Sequence, residues 1–399
     1  MMKVLQLCHK PPCPPTDGGT RSMHCITEGL IERGHQVKIL TIETHKHPLQ
    51  TEKLDKAYLE STKIEGVFVD TRVNPVEAFA SLITQDSYNI SRFFSPDFDI
   101  KLSKLLKKEK FDVIHIESLF MTPYLGTIRR HSKAKVVLRS HNIEHLIWEK
   151  QAKTTQNIAR KAYLKYLASK LKDYEVDMLT QIDGIVAISS IDFNVFRKLG
   201  FKRAMCTVPF GISPTEQIVS LEKRELAVCY LGSMDWSPNL EGMVWFLEEV
   251  WPKIHQVHPE LKFYLAGRKI PQGIRDYGNE HIIIVGEVPD VQEYLQKYSI
   301  MVVPLLSTGG LRVRIIEGMA AGNAIVTTQA AAAGIDYTEN EELLIANSAN
   351  QFVEAVSKLI ADESLRISMG ELGIKKAKSK YDNNVIIDEL ISFYESLIQ

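Results

Sequence analysis

The sequence predicts an α/β protein made of two Rossmann-like units, and three observations carry the prediction. Short β-branched runs alternate with helix-length segments, the pattern of a mostly parallel sheet with helices on both faces. These runs form two series, separated near Phe210–Glu222, where the sheet periodicity lapses and Pro214 breaks the chain. A length of 399 residues is long for one hydrophobic core and suits two domains of roughly 150 to 200 residues.

The first series comprises Val4–Leu7, Val37–Ile42, Val67–Asp70, Val113–Ile116, Val136–Ser140 and Gly184–Ile188. The second comprises Ala227–Leu231, Phe263–Ala266, Ile282–Val285, Ile300–Pro304 and Ala324–Thr327. Helical periodicity closes the chain over Asn350–Asp362, Ser364–Ser379 and Asn384–Leu397. The expected domains are therefore 1–210 and 211–380. There is no internal repeat of fixed short period and no low-complexity segment.

Composition is that of an ordinary globular protein, with 45% hydrophobic and 24% charged residues. The five cysteines form no C-x-x-C pair and no zinc spacing with histidine, which suits a reducing, cytoplasmic setting. The opening M-M-K-V-L-Q-L-C-H-K reads as a first strand and not as a secretion signal. No window of about 18 apolar residues can serve as a membrane span.

The net charge of −1 hides an asymmetry. Residues 1–215 hold 32 Lys+Arg against 23 Asp+Glu, and residues 216–399 hold 16 against 26. Lys101, Lys104, Lys107, Lys108 and Lys110 cluster on one predicted helix, and a second basic series runs from Lys150 to Lys172. Each alone reads as a solvated helix face. Together they suggest peripheral docking on an anionic membrane surface. No nucleic-acid partner is expected.

Motifs should sit just beyond the carboxyl ends of strands, where open α/β sheets bind ligands. The stretch from Leu305 to Thr328 reads as strand end, glycine turn, helix and strand. Gly309 and Gly310, followed by Leu311, allow close backbone approach, and the following helix aims N–H groups at an anion. Arg312 and Arg314 supply guanidinium forks suited to phosphate oxygens, and Glu317 can accept hydrogen bonds from a ribose. An ordinary glycine turn with a solvated arginine face is the competing reading.

Other strand ends carry further candidates. A Pro-rich loop after the first strand leads to Gly18, Gly19 and Arg21. After Val136–Arg139 comes S-H-N-I-E-H, with His141, Asn142, Glu144 and His145. Such side chains are costly to bury without partners, so they are expected to face a cleft. Capping roles for Asn142 and His145 stay open, and so does zinc at H-x-x-x-H, although a third ligand is missing. Residues 86–98 interleave Tyr88, Phe93 and Phe94 with Arg92, which suits either core packing or an apolar landing for an acceptor. In the second series, Y-L-G-S-M-D-W-S-P-N places Gly232 and Trp236 after a strand, and G-E-V-P-D places Val288 after another.

Together these stretches resemble glycosyltransferase family 4, whose members have the two-domain GT-B fold. The resemblance implies that the helix at about 381–399 packs back on the first domain and that ligands lie between the domains. It places Gly18 and Gly19 near the donor diphosphate and acceptor, His141 near the transferred sugar, and Arg21, Tyr88, Arg92, Asn142 and Glu144 on the acceptor side. Gly232 and Trp236 would face the diphosphate, Val288 would hold the base through backbone groups, and Glu317 the ribose.

The chain departs from the family in two ways. It lacks the usual Arg and Lys of the 230–239 region, so Arg312 and Arg314 are the expected substitutes. Two glutamates eight positions apart are typical, yet Gly309 stands in the first place, matching a G-G-x-R-x-[KR]-x-x-E variant. The implied activity is retaining transfer of a sugar from a nucleoside diphosphate sugar to a carbohydrate or lipid-linked acceptor. No metal or cofactor is expected. A sugar-nucleotide epimerase of the same fold, or a non-catalytic nucleotide-sugar-binding homologue, is the alternative. Asp97-x-Asp99 is expected to be a surface turn.

Overall fold

A computed structural model describes residues 1–72, 88–213, 218–307 and 311–399, without the side chains of Tyr88, Asn89 and Thr154. The chain divides into two compact units, Met1–Pro209 with Ile386–Gln399, and Phe210–Val385.

The first unit holds seven parallel strands: β1 (Lys3–Cys8), β2 (Gln36–Glu43), β3 (Glu65–Phe68), β4 (Val113–Glu117), β5 (Lys135–Ser140), β6 (Gly184–Ala187) and β7 (Ala204–Thr207). Their order in the sheet is β3-β2-β1-β4-β5-β6-β7, and Val4 pairs with Val37 on one side and Val113 on the other. Alternation of side chains sends Leu5 and Leu7 into one core with Leu40, Ile114 and Leu138. It sends Val4 and Cys8 into another with Ile39, Val137 and Val186. Both faces are covered, which is why these strands read as nearly continuous apolar runs.

The second core also takes Met23, Ile26 and Leu30 from the first helix, Gly18–Glu32, and Ile386, Ile387, Leu390, Phe393 and Tyr394 from the last, Asn383–Ile398. These two helices meet where a side chain is missing. A Cβ on Gly29 would lie 2.4 Å from Ile387, and one on Gly184 2.7 Å from Phe393.

The second unit holds six parallel strands: β8 (Glu225–Leu231), β9 (Phe263–Ala266), β10 (Ile282–Gly286), β11 (Tyr298–Val303), β12 (Ala324–Thr327) and β13 (Leu343–Ile345), in the order β10-β9-β8-β11-β12-β13. The helix Val313–Ala321 buries Ile315, Ile316 and Met319 and ends at Gly322, whose φ of 80° is left-handed. A Cβ on Gly370 would stand 2.4 Å from the Gly322 carbonyl, so the helix Glu363–Lys380 packs there backbone to backbone.

Both sheets therefore grow one way from their first strand and then reverse. The reversal lies between β1 and β4 in one and between β8 and β11 in the other. Open α/β sheets bind ligands beyond the carboxyl ends of the strands at such reversals.

Three local expectations are corrected. Gly18 and Gly19 belong to the first helical turn, not to a loop, because Asp17 caps the helix through the Thr20 N–H. Asp97 and Asp99 lie in the first turn of the helix Pro96–Lys108, where their charge suits the helix dipole. Lys110 falls beyond that helix, which ends at Lys108.

Candidate functional site

At the first switch point, β4 ends in Glu117, which is fully buried. Its Oε1 accepts from Gln6 Nε2 of β1 at 2.9 Å, and its Oε2 from His141 Nε2 at 2.7 Å and from Arg139 Nη1 at 3.4 Å. His115 Nε2 lies 3.1 Å from Oε1 as a close ion-pair contact without good hydrogen-bond alignment. Burial alone would raise the Glu117 pKa. The charges of His115 and Arg139, with the hydrogen bonds, outweigh it and hold the carboxyl well below its usual range.

The network is anchored on every side. Arg139 Nη2 donates to the Ser22 hydroxyl of the first helix, and Thr27 donates to Gln6 Oε1 at 2.7 Å. His115 Nδ1 meets the Tyr394 hydroxyl of the C-terminal helix. His9 Nδ1 lies 3.1 Å from the Glu117 carbonyl, and its ring meets His141 edge-on at 5.9 Å. Burial pushes the His141 pKa below its usual value despite the carboxylate beside it. Burial, then the proximity of His141 and Lys10, push His9 down to about 3.

Beside this network, the S-H-N-I-E-H element turns into the helix Glu144–Thr154. Glu175, from the helix Ile158–Leu179, accepts the N–H groups of Glu144 and His145 and pairs with the His145 ring. A neighbouring helix thus supplies the carboxylate that caps this N-terminus. His141 and His145 consequently engage different carboxylates, and among the described residues no three His, Cys, Asp or Glu side chains converge as a metal ligand set.

Three of the acceptor-side candidates do come together. Glu144 is itself buried, and the Asn142 side chain and the charge of Arg92 favour its charged form. Burial and the charge of Glu175 push its carboxyl up to about 7. Phe93 is core, stacked on Phe120 with centroids 4.5 Å apart, while Phe94 is 46% exposed. Arg21 is exposed on the first helix. The Tyr88 side chain lies outside the described residues.

At the second switch point, Arg312 immediately precedes the helix Val313–Ala321, its guanidinium 4.3 Å from the Trp236 ring centroid. Trp236 follows β8 and precedes the helix Ser237–Trp245, so residues beyond two adjacent strands meet here. The Nε and Nη2 atoms of Arg312 are buried without a hydrogen-bond partner among the described residues, and so is the hydroxyl of Tyr230. Burial pushes Arg312 down to about 10, leaving it a cation at neutral pH. It raises the Tyr230 pKa, against the pull of Arg314 and Arg312, so that phenol keeps its proton.

Gly232 lies against Tyr230, where a Cβ would come within 2.3 Å of the hydroxyl. Arg314 and Glu317, expected to serve separate parts of a ligand, hydrogen-bond to each other at 2.5 Å one turn apart. Leu311 is buried and Val288 half-buried after β10. Gly309 and Gly310 lie outside the described residues.

Sequence reasoning missed Glu117, His115, Tyr394, Glu175 and Tyr230. The first two had a signal: H-x-E on one face of a strand otherwise fully apolar demands buried partners. Tyr230 had none, since a tyrosine is at home in any strand.

The family model of Glycosyltransferase Family 4 matches residues 16–216, and that of Glycosyl transferases group 1 matches residues 225–362. An uncharacterized 44.6 kDa protein in the cps region of Klebsiella pneumoniae is 23% identical over 369 residues, 89% of this chain and 90% of the relative. The capsular polysaccharide biosynthesis glycosyltransferase CapM of Staphylococcus aureus is 29% identical over 124 residues, 30% of this chain and 32% of its own length. Sucrose-phosphate synthase of Thermosynechococcus elongatus superposes with a TM-score of 0.72 at 14% identity, covering 100% of this chain and 99% of that one. Anabaena HepE, solved with UDP and glucose, gives 0.64 at 11% identity, covering 99% and 100%. These likenesses show the fold, and the family match spans half of the sequence. The chain belongs to glycosyltransferase family 4, a glycosyltransferase of the GT-B fold with two parallel-sheet Rossmann-like units.

Proposed function

We propose that this enzyme moves a sugar from a nucleoside diphosphate sugar to an acceptor hydroxyl in polysaccharide or glycan assembly, with retention at the anomeric carbon. The observation that carries the donor reading is Arg312. Its guanidinium stacks on Trp236, and its buried Nε and Nη2, like the Tyr230 hydroxyl on the neighbouring strand end, have no hydrogen-bond partner among the described residues, an arrangement that suits an anion. Buried donors without partners are rare in native proteins, and a ligand phosphate satisfies both.

In this reading Arg312, Arg314 and the Gly310 backbone stabilise the departing diphosphate without metal. Gly309, Leu311, Gly232 and Trp236 are assigned to donor binding. Val288 holds the base, Glu317 the ribose and His141 the transferred sugar. Gly18 and Gly19 are assigned to the diphosphate and acceptor. Arg21, Tyr88, Arg92, Asn142 and Glu144 form the acceptor side. The donor site is the G-G-x-R-x-[KR]-x-x-E variant. No residue is assigned as covalent nucleophile. HepE's bound UDP and CapM's capsular role support donor class and pathway class respectively.

We place the enzyme in the cytoplasm, with the acceptor reached at an anionic membrane surface. No helix among the described residues is long and apolar enough to cross a membrane. The basic series of residues 1–215 supports surface attachment, and liposome co-sedimentation checks it: equal recovery with anionic and neutral vesicles ends that part of the proposal.

Transfer itself is tested by incubating the full chain with UDP-, GDP- and ADP-sugars and lipid-linked or oligosaccharide acceptors. The expected result is acceptor-dependent release of one nucleoside diphosphate and an anomeric proton coupling that matches the donor. Inversion of that coupling refutes retention. Arg314→Ala should lower kcat more than it raises KM, since charge on the leaving group grows only toward the transition state.

A further inference from the structure

The buried cluster around Glu117 reaches from the candidate sugar contact to the far end of the chain. We propose that Glu117 is the positioning residue for His141, and that Tyr394 of the C-terminal helix completes it through His115. The inference rests on the reading that His141 meets the transferred sugar.

The geometry fixes which ring nitrogen carries the proton. A carboxylate can only accept, so the 2.7 Å contact places the proton on Nε2 of His141. Arg139 Nη1 stands 3.5 Å from the same nitrogen, but its shorter approach is to Glu117 Oε2 at 3.4 Å. Both N–H groups thus converge on one carboxylate oxygen. A neutral His141 held this way carries its lone pair on Nδ1. It meets a sugar hydroxyl as an acceptor and not as a donor.

Glu117 needs support of its own, because a wholly buried carboxylate is stable only when paired on several sides. Tyr394 supplies part of that support from outside the sheet. Its hydroxyl is buried, keeps its proton because burial raises its pKa, and meets His115 Nδ1. The other nitrogen of that ring, Nε2, lies 3.1 Å from Glu117 Oε1. Residues 386–399, although last in sequence, belong to the first unit and sit in its core. The tail therefore helps set the electrostatics of the site as well as closing the core.

The test reads the His141 ring directly. Long-range ¹H–¹⁵N spectra of the full chain, with His141→Gln identifying the resonance, should show the neutral Nε2–H tautomer. Glu117→Gln presents an amide that can donate to Nε2, so the ring should lose that tautomer. Its kcat should fall by on the order of 100-fold, with the donor KM within about twofold. Tyr394→Phe keeps the packing and removes only the hydroxyl, and should shift the His115 resonances and lower kcat by roughly three- to tenfold. It also serves if Glu117→Gln does not fold.

An Nδ1–H tautomer in the wild type overturns the proposal. So does a Tyr394→Phe enzyme with unchanged His115 resonances and unchanged kcat. The tautomer is read without substrate, so its failure is distinct from a wild-type enzyme that transfers no sugar.

Discussion

Glu117 at the first switch point and Arg312 at the second are ions at the carboxyl ends of parallel strands, the first wholly buried and the second with its Nε and Nη2 buried, yet their surroundings differ. Glu117 accepts from Gln6, Arg139 and His141 and has His115 at ion-pair distance. Arg312 has an aromatic ring beneath it and two nitrogens, Nε and Nη2, without a partner among the described residues. A buried charge that arrives with its partners stabilises the fold and orients its neighbours. One that lacks them costs stability in the free protein, a cost that is recovered when a ligand of opposite sign binds.

The contrast gives opposite signs for two substitutions. Glu117→Ala strands Arg139 in the core and should cost about 3–5 kcal/mol of unfolding free energy, the largest effect expected. A denaturation midpoint like that of the wild type would place the network outside the folding core. Arg312→Leu removes a poorly paired cation and should leave stability unchanged or raise it, by up to about 2 kcal/mol. A large loss would mean that Arg312 holds the fold and not a ligand.

Glu144 tests the first unit by pH. Its folded pKa of about 7 lies above its ordinary 4.5, so between those values the native state holds a proton that the unfolded chain has released. Stability from this group is full below pH 4.5 and is lost as pH rises through 7. Glu144→Gln cannot lose it and should gain about 1–3 kcal/mol on the wild type between pH 5 and pH 8. Parallel curves for the two proteins would remove the buried-acid assignment. The smallest effect is at the second site, where Trp236→Ala should weaken nucleotide binding by about 1 kcal/mol, the worth of a partly desolvated cation–π contact. Unchanged affinity would detach the ring from the ligand.

Much of the fold was legible because both sheets are covered on both faces, which makes their central strands apolar runs that β-branched residues announce. The strands that escaped notice are short ones at the sheet edges. Ala204–Thr207, A-M-C-T, is half-exposed, and Leu343–Ile345 is three residues long. The candidate donor-side residues stood out in the sequence because glycine, arginine and glutamate cluster within a few positions. The Glu117 network was not, because it joins residues 6, 115, 117, 139, 141 and 394, and only parallel pairing of β1, β4 and β5 with the returning helix brings them together. Asp17 shows the same limit at short range. It read as part of a loop, yet burial that would raise its pKa is overcome by Lys10 at 2.6 Å, and the paired carboxylate, held at about 2, caps a helix.

The central claim is that Arg312 awaits a nucleoside diphosphate. Isothermal titration of the full-length wild type and of Arg312→Leu with UDP, GDP, ADP and CMP tests it most directly. The account predicts that one diphosphate binds the wild type and that the leucine variant binds it about 10- to 100-fold more weakly, the loss of one or two charge-assisted hydrogen bonds. Equal affinity for the two proteins, or no binding of any nucleotide by the wild type, would contradict it.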